Sequence, residues 1–347
     1  MAATALAAAS LLLAFAGCSG RKASSPPPVG EPPPPSGTAP TSPPPAPRSA
    51  APSPPAPAAQ ALPGALWVIV ENGPGSRPQA GIERARVVYE LEAEGGITRF
   101  LAAFTEGPVE RIGPVRSVRY YFLHIVKPYG GPIAHAGGST DALEWLARDP
   151  SYQDMDEIYN SGAYFWRSKE RKMPHNLYTS TDLLLKGARA RKFALRPLPD
   201  WPRGEMPGGE PYTQVRLRFP LDFTRVEYRW EQDRWLRYQD GDPHRVEGGT
   251  QLGADNLLVL FPTEYRVQVA GKQESRRIGI IGEGDGMLFA RGKGWAIRWE
   301  KPSPDKPFAF TAAGKPALLA PGNTWVVVVP GPRWLTASST GAAPAGS

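Results

Sequence analysis

The sequence predicts an α/β domain followed by a β-rich domain of sandwich or barrel type, both carried behind a leader and a disordered proline-rich linker. Three observations predict this order. Up to residue 195, strand-like apolar runs alternate with helical ones; from residue 212, nearly every apolar run is short and bounded by Gly, Asp or Pro; and 17 of the 41 prolines fall between Ser19 and Pro63. The first pattern fits helices layered on a sheet and the second fits strands packed on strands. The third fits a solvated chain that buries little apolar surface.

The leader comes first. Residues 4–17, "TALAAASLLLAFAG", have the length of a secretory apolar region and are too short to span a bilayer. The run stops at Cys18, the only cysteine, after small Ala16 and Gly17. This is similar to a lipoprotein signal, with cleavage after residue 17 and acylation of the Cys18 sulfur, although Phe15 stands where leucine is usual and no Lys or Arg precedes the run. A plain secretory leader with an incidental cysteine is the alternative. One cysteine excludes an intramolecular disulfide framework and a thiolate metal cluster. Residues 18–64 then form the linker, which at ~3.1 Å per residue reaches up to ~140 Å from the anchor. The expected place is the extracytoplasmic side of a bacterial membrane, with lipid as one partner through acylated Cys18. Ser19, rather than Asp, favours the outer membrane if the cell has one.

The formal charge is +7, of which Arg21, Lys22 and Arg48 against Glu31 supply +2, leaving +5 for residues 65–347. That excess is modest and free of Lys/Arg blocks, and with the export signal it argues against nucleic acid as a partner. An acidic envelope polymer stays open.

In the α/β domain, residues 65–195, "LWVIVEN" (66–72) predicts a buried strand and "PQAGIERA" (78–85) a helical turn. "RVVYELEAE" and "ITRFLAAF" flank Gly95-Gly96 as a hairpin. A helix is expected to start after Pro114 and stop before Pro128; "PIAHAGG" predicts a short strand, "STDALEWLARD" a helix capped by Ser139 or Thr140, and Ser180–Lys192 another helix. Residues 196–211, with five prolines and three glycines, are read as an interdomain linker, 212–330 as the β-rich domain and 331–347 as a disordered tail.

Four stretches carry possible chemistry. A two-residue hairpin loop at Gly95-Gly96 pairs Glu92 with Arg99 and puts Glu90, Glu92 and Glu94 on one face with Arg99, so that one arginine meets three carboxylates. This is either an exposed face with a modest cross-strand pair or one wall of a cleft. In "RIGPVRSVRYY", Arg116 and Arg119 would share the first turn of a helix, where positive charge is disfavoured unless it meets carboxylates or an anionic ligand; a basic surface helix is the alternative. In "HAGGST", a strand ending in His135, then Gly137, Gly138 and Ser139 at a helix start, would offer backbone N–H groups to an anion. A histidine in that place is more often packed on its strand than catalytic. In "FWRSKERKMPHNLYTST", Arg167, His175, Asn176 and Tyr178 crowd a loop that is either a binding element or a basic turn. No Gly-x-Ser-x-Gly elbow, His-Glu-x-x-His helix, Walker A loop or dinucleotide fingerprint occurs. No metal and no cofactor are therefore expected.

"ENGPGSRPQAGIERARVVYELEAEGGITRF", "IGPVRSVRYYF", "AHAGGSTDALE", "FWR" and "PHNLYTS", followed by "LGADNLLVL", "WAIRWEK" and "LLAPGNTWVVVVP", occur in the order and spacing of the YerB-like bacterial lipoproteins, a family catalogued as a domain of unknown function. The resemblance covers about residues 66–330. It implies that Asn72, Arg77, Gln79, Glu90, Glu94, Arg99, Arg116, Arg119, His135, Ser139, Arg167, His175 and Asn176 match motif positions. Glu92 is a less typical member, and the resemblance supplies no reaction.

Three functions fit these residues. A binding module would hold an anionic ligand, such as a peptidoglycan fragment or other wall polymer, through Arg99, Arg116, Arg119 and Arg167 with Gly137, Gly138 and Ser139. A hydrolase or lyase acting on the same material would use Glu94 or Glu90 as acid/base, with His135 or His175 as second proton carrier. A scaffold would position wall-synthesis proteins, an envelope protein being its partner.

Overall fold

Strands form where the apolar runs are longest, and several of them, through the middle of the main sheet, point the same way. The structure, a computed structural model, describes residues 60–198, 201–220, 224–270 and 273–339. The expected leader, Cys18, the linker up to residue 59 and the tail from residue 340 lie outside the described residues. In the first half, β1 (Gln60–Glu71), β2 (Val87–Glu92), β3 (Thr98–Gly107), β4 (Pro132–His135) and β5 (Gln153–Asp156) alternate with α1 (Tyr120–Val126), α2 (Thr140–Arg148) and α3 (Thr181–Ala190). The second half supplies β6 (Gln214–Arg218), β7 (Arg225–Glu231), β8 (Arg234–Gln239), β9 (Asn256–Leu260), β10 (Gly282–Ala290), β11 (Lys293–Lys301), β12 (Ala309–Ala312), β13 (Thr324–Val328) and β14 (Leu335–Ser338). The α/β first half and β-rich second half are thus as the composition predicts.

The two halves share one sheet. Its order is β12-β11-β10-β9-β13-β2-β3-β1-β4-β5. Strand β13 lies parallel to β2 on one side and to β9 on the other. Its sequence, TWVVV, is buried at every position, as a central strand covered on both faces requires. Strand β4 is parallel to β1 and β5 to β4, while β3 runs antiparallel between β1 and β2. The carboxyl ends of β1, β2, β4, β5, β9 and β13 therefore open on one edge of the sheet.

Each face of the sheet has its own core. On one, Trp67, Tyr89, Leu101 and Ile133 pack with Phe122 and Ile125 of α1, Ala142 of α2, and Trp299 and Phe308. On the other, Val68, Phe100, Phe104 and Trp325 pack with Leu184 of α3 and with Leu217, Tyr228 and Trp235 of a second sheet. That sheet holds β8-β7-β6-β14 in sequence. Helix α3 buries Thr181, Leu184, Gly187 and Ala188, the stripe expected of an amphipathic helix, and the Ser180 side chain caps it by accepting from Leu183 N at 3.1 Å. Gly187 permits the approach to β5, since a Cβ there would lie 2.3 Å from Met155 Cε.

Five local expectations are corrected. Strand β1 begins at Gln60, inside the expected linker, and β14 forms within the expected disordered tail because it pairs with β6. Arg116 and Arg119 precede α1 rather than sharing its first turn: Val115 bridges to Val70 and Val118 to Gly138, which holds the segment extended until Tyr120. The hairpin register is also shifted by one. Gly95 and Gly96, both in the left-handed region, belong to a wider turn closed by Ala93 N donating to Ile97 O at 2.7 Å, so Leu91 rather than Glu92 lies opposite Arg99. A slip of one moves Arg99 to the face opposite Glu90. Of residues 196–211, Trp201 is buried and donates to Phe308 O at 3.0 Å, and Glu210–Pro211 pairs with β11. Among the described residues no helix is long and apolar enough to cross a membrane.

Candidate functional site

The carboxyl edge of the parallel strands gathers arginines around two glutamates. Glu71, the last residue of β1, is buried, and its carboxylate accepts from Arg116 at 3.0 Å and meets His175 Nδ1 at 2.8 Å. Glu94, on the hairpin turn, accepts from Nε and Nη2 of Arg119 with its two oxygens and lies 3.6 Å from Arg99. Arg99 also donates to Ser117 O at 3.1 Å. Burial pushes the Arg99 guanidinium down to about 10, helped by the neighbouring charges of Arg119 and Arg116. Burial alone would raise Glu94, but the hydrogen bond and charge of Arg119 and the charge of Arg99 outweigh it, and its carboxyl sits below the usual range. The Nε atoms of Arg99 and Arg116 are buried without a hydrogen-bond acceptor. Crowded cations with idle donors have the chemistry that suits an oxyanion.

Other expected site residues are engaged by the protein itself. Glu90 lies in the core with Arg237, which donates to its two oxygens at 2.7 and 2.8 Å. Asn72 donates to Thr98 Oγ1 at 2.7 Å and Gln239 Oε1 at 3.0 Å; Gln79 donates to Asn72 Oδ1 at 3.1 Å and to the Glu71 carbonyl at 2.9 Å. These residues form a buried seam between the halves that braces Glu71 from behind. The acid/base role expected of Glu90 and the ligand contacts expected of Asn72 and Gln79 are corrected accordingly.

The "HAGGST" loop is filled in the same way. Gly137 N donates to Asp156 Oδ1 at 2.9 Å, Ser139 Oγ donates to Asp141, and a Cβ at Gly138 would press on Val118 at 3.0 Å. The protein's own carboxylate takes the Gly137 N–H offered to an anion, and Gly138 serves packing. His135 is fully buried, with Nδ1 2.9 Å from Gly137 O and Nε2 2.7 Å from Asp154 Oδ1, so both ring nitrogens are engaged within the protein. Tyr178 is likewise buried, stacked with Trp166, and donates to Glu247 at 3.4 Å. Arg77 pairs with Asp240 at 2.8 Å on the rim of a separate groove of about 460 Å³. Arg167 donates to Glu157 at 3.1 Å and to Asn176 Oδ1 at 3.2 Å, beside His175. Among the described residues no group of three or more His, Cys, Asp or Glu is placed to hold a metal.

Sequence reasoning missed Glu71, Arg237 and His244. An acid ending an apolar strand run was the available signal for Glu71; Arg237 and His244 sit in an ordinary strand and turn with none. His244 accepts from Arg237 Nε at 3.0 Å through Nδ1 and donates to Gln79 Oε1 at 2.8 Å through Nε2, which a neutral ring satisfies. Burial, with the charges of Arg237 and Arg77, holds it well below the ordinary imidazole value. The unfolded chain takes up a proton near pH ~6.5 that the folded one refuses, so stability falls as pH drops below that value. His124, pushed to about 4 by burial and Lys301, adds a second loss of the same sign. Urea midpoints between pH 7 and 5 are expected to fall less steeply in His244→Gln than in the wild type; equal slopes would refute this assignment.

Comparison with known proteins agrees with this architecture. Residues 53–194 match the family described as "Protein of unknown function (DUF3048) N-terminal domain", and residues 215–326 match its C-terminal domain. The chain is 31% identical over 272 residues to "Putative lipoprotein YerB" of Bacillus subtilis (strain 168), covering 76% of this chain and 80% of that protein. The crystal structure of YerB from Bacillus subtilis superposes with a TM-score of 0.70 at 29% identity, covering 79% of this chain and 93% of that one. Matched family domains in both halves, and a relative alike in sequence and fold, place this chain in the YerB-like DUF3048 family.

Proposed function

We propose that this protein is an extracytoplasmic lipoprotein that binds an anionic ligand, a fragment of peptidoglycan or another wall polymer, at the carboxyl edge of its parallel strands. The observation that carries this is the Arg99–Arg116–Arg119 cluster, with two buried Nε donors lacking acceptors. The lipoprotein name of the Bacillus relative supports anchoring through Cys18. Ser19 favours the outer membrane in a cell that has one.

The test is calorimetric titration of the full-length protein in detergent with inorganic phosphate and with soluble wall fragments. Arg116→Ala is expected to weaken both by about tenfold or more, the scale of one charge-assisted hydrogen-bonded contact. Equal affinities in variant and wild type would overturn the reading. A second reading, a hydrolase or lyase, rests on His175, whose Nδ1 meets the buried Glu71 carboxylate while the ring stays part-exposed. New products by mass spectrometry from peptidoglycan, lost in His175→Ala, would favour it over binding alone.

A further inference from the structure

Among the described residues, the large hydrophobic side chains left most open are Trp145, Ile158, Tyr159 and Met173, with Tyr159 70% and Met173 68% exposed. Three of these four belong to two loops that meet at one arginine. Arg167 donates to both Glu157 oxygens, at 3.1 and 3.3 Å, on the loop of Ile158 and Tyr159, and to Asn176 Oδ1 at 3.2 Å on the loop of Met173.

The loop of Tyr159 is pinned. Ile158 N donates to Asp156 Oδ1 at 2.9 Å, Asn160 N donates to Asp156 O at 3.1 Å, and Asn160 Nδ2 donates to Asp154 Oδ2 at 2.6 Å. The turn therefore presents Tyr159 outward on a fixed backbone. An aromatic ring held open in this way offers contact area with few rotors to immobilise. Asn176 follows His175, and His175 leads through Glu71 to Arg116. The open ring of Tyr159, a polar bridge of Glu157, Arg167 and Asn176, and the arginine cluster reached through His175 and Glu71 thus form one connected series.

We infer that the ligand is an acidic oligosaccharide. One sugar ring lies with its C–H face on Tyr159. Its hydroxyls meet the bridge, which offers both donors and acceptors. A carboxylate or phosphate carried further along the saccharide reaches Arg99, Arg116 and Arg119. This rests on the anion-binding reading and adds the identity of the group that accompanies the anion.

The experiment titrates the full-length protein in detergent with three probes: inorganic phosphate, the neutral oligosaccharide chitotetraose, and disaccharide-peptides from muramidase-digested peptidoglycan. Tyr159→Ala is expected to weaken the disaccharide-peptide by about tenfold while leaving phosphate within about twofold, and Tyr159→Phe to bind both as the wild type does. Chitotetraose, lacking the anion, is expected to bind more weakly than the disaccharide-peptide. Tyr159→Ala binding the disaccharide-peptide as the wild type does would overturn the platform. So would a wild type that binds phosphate alone, with the anion site left standing; a wild type that binds none of the probes overturns both readings. Tyr159 is mostly exposed, so its loss leaves the fold intact.

Discussion

Arg237→Met is expected to destabilise the protein by about 3–5 kcal/mol, the cost of leaving a buried charge without its partner. The stranded group is Glu90, fully buried, whose two oxygens accept from the two guanidinium nitrogens in the native state. Removing both charges at similar volume, Arg237→Met with Glu90→Leu, is expected to recover most of that loss. A remainder of about 1–3 kcal/mol reflects Thr98 and Tyr228, whose hydroxyls lose Glu90 and Arg237 as partners. Guanidinium-chloride midpoints at pH 7 decide it: a single variant within about 1 kcal/mol of the wild type, against the ~3–5 expected, would show that the pair is not what secures this seam.

Trp325→Ala is expected to cost a further about 3–5 kcal/mol, as for other large-to-small changes in a packed core. Trp325 stands on β13, fully buried, with Phe100 of the first half edge-on at 5.4 Å and Tyr228 of the second at 6.3 Å. Because its strand is hydrogen-bonded to both β2 and β9, the loss is expected to reach both halves together. Far-ultraviolet circular dichroism and tryptophan fluorescence should then shift by the same amount in denaturant. Two separated transitions would mean that the halves fold independently. Arg237 lies 5.2 Å from the Trp325 ring, so the two substitutions are not expected to add.

Much of the architecture could be read from local pattern. Ser180 ahead of Asp182 and an apolar stripe placed α3 nearly to the residue, because capping and periodicity are both local. The apolar run at 325–329 reads as a strand for the same reason, but nothing local shows its central place between the halves. Register was harder: Gly95-Gly96 fits a two-residue loop in sequence, and only the Ala93–Ile97 closure shows the wider turn that sends Arg99 to the other face. The site divided along similar lines. Arg116, Arg119, Glu94, Arg99 and His175 meet at one edge, as charge counting in separate segments anticipates. Glu90, Asn72 and Gln79 were misplaced because their partners, Arg237, Gln239 and His244, lie more than 140 residues away in sequence. Nothing in "RWLRYQD" distinguishes a buried arginine from an exposed one, since β8 is covered on both faces through most of its length.

The place of β13 also bears on how the chain assembles. Val87 of β2 is paired with Thr324, far along the chain, so the first half cannot complete its hydrogen-bond ladder before β13 joins it. Until that strand arrives, the edge of β2 stays open beside an apolar surface. Such late, long-range, parallel pairing makes for slow folding and exposure to aggregation. A chain that stays open until β13 joins it remains longer in an extended form, the form in which a polypeptide can be threaded through a narrow passage.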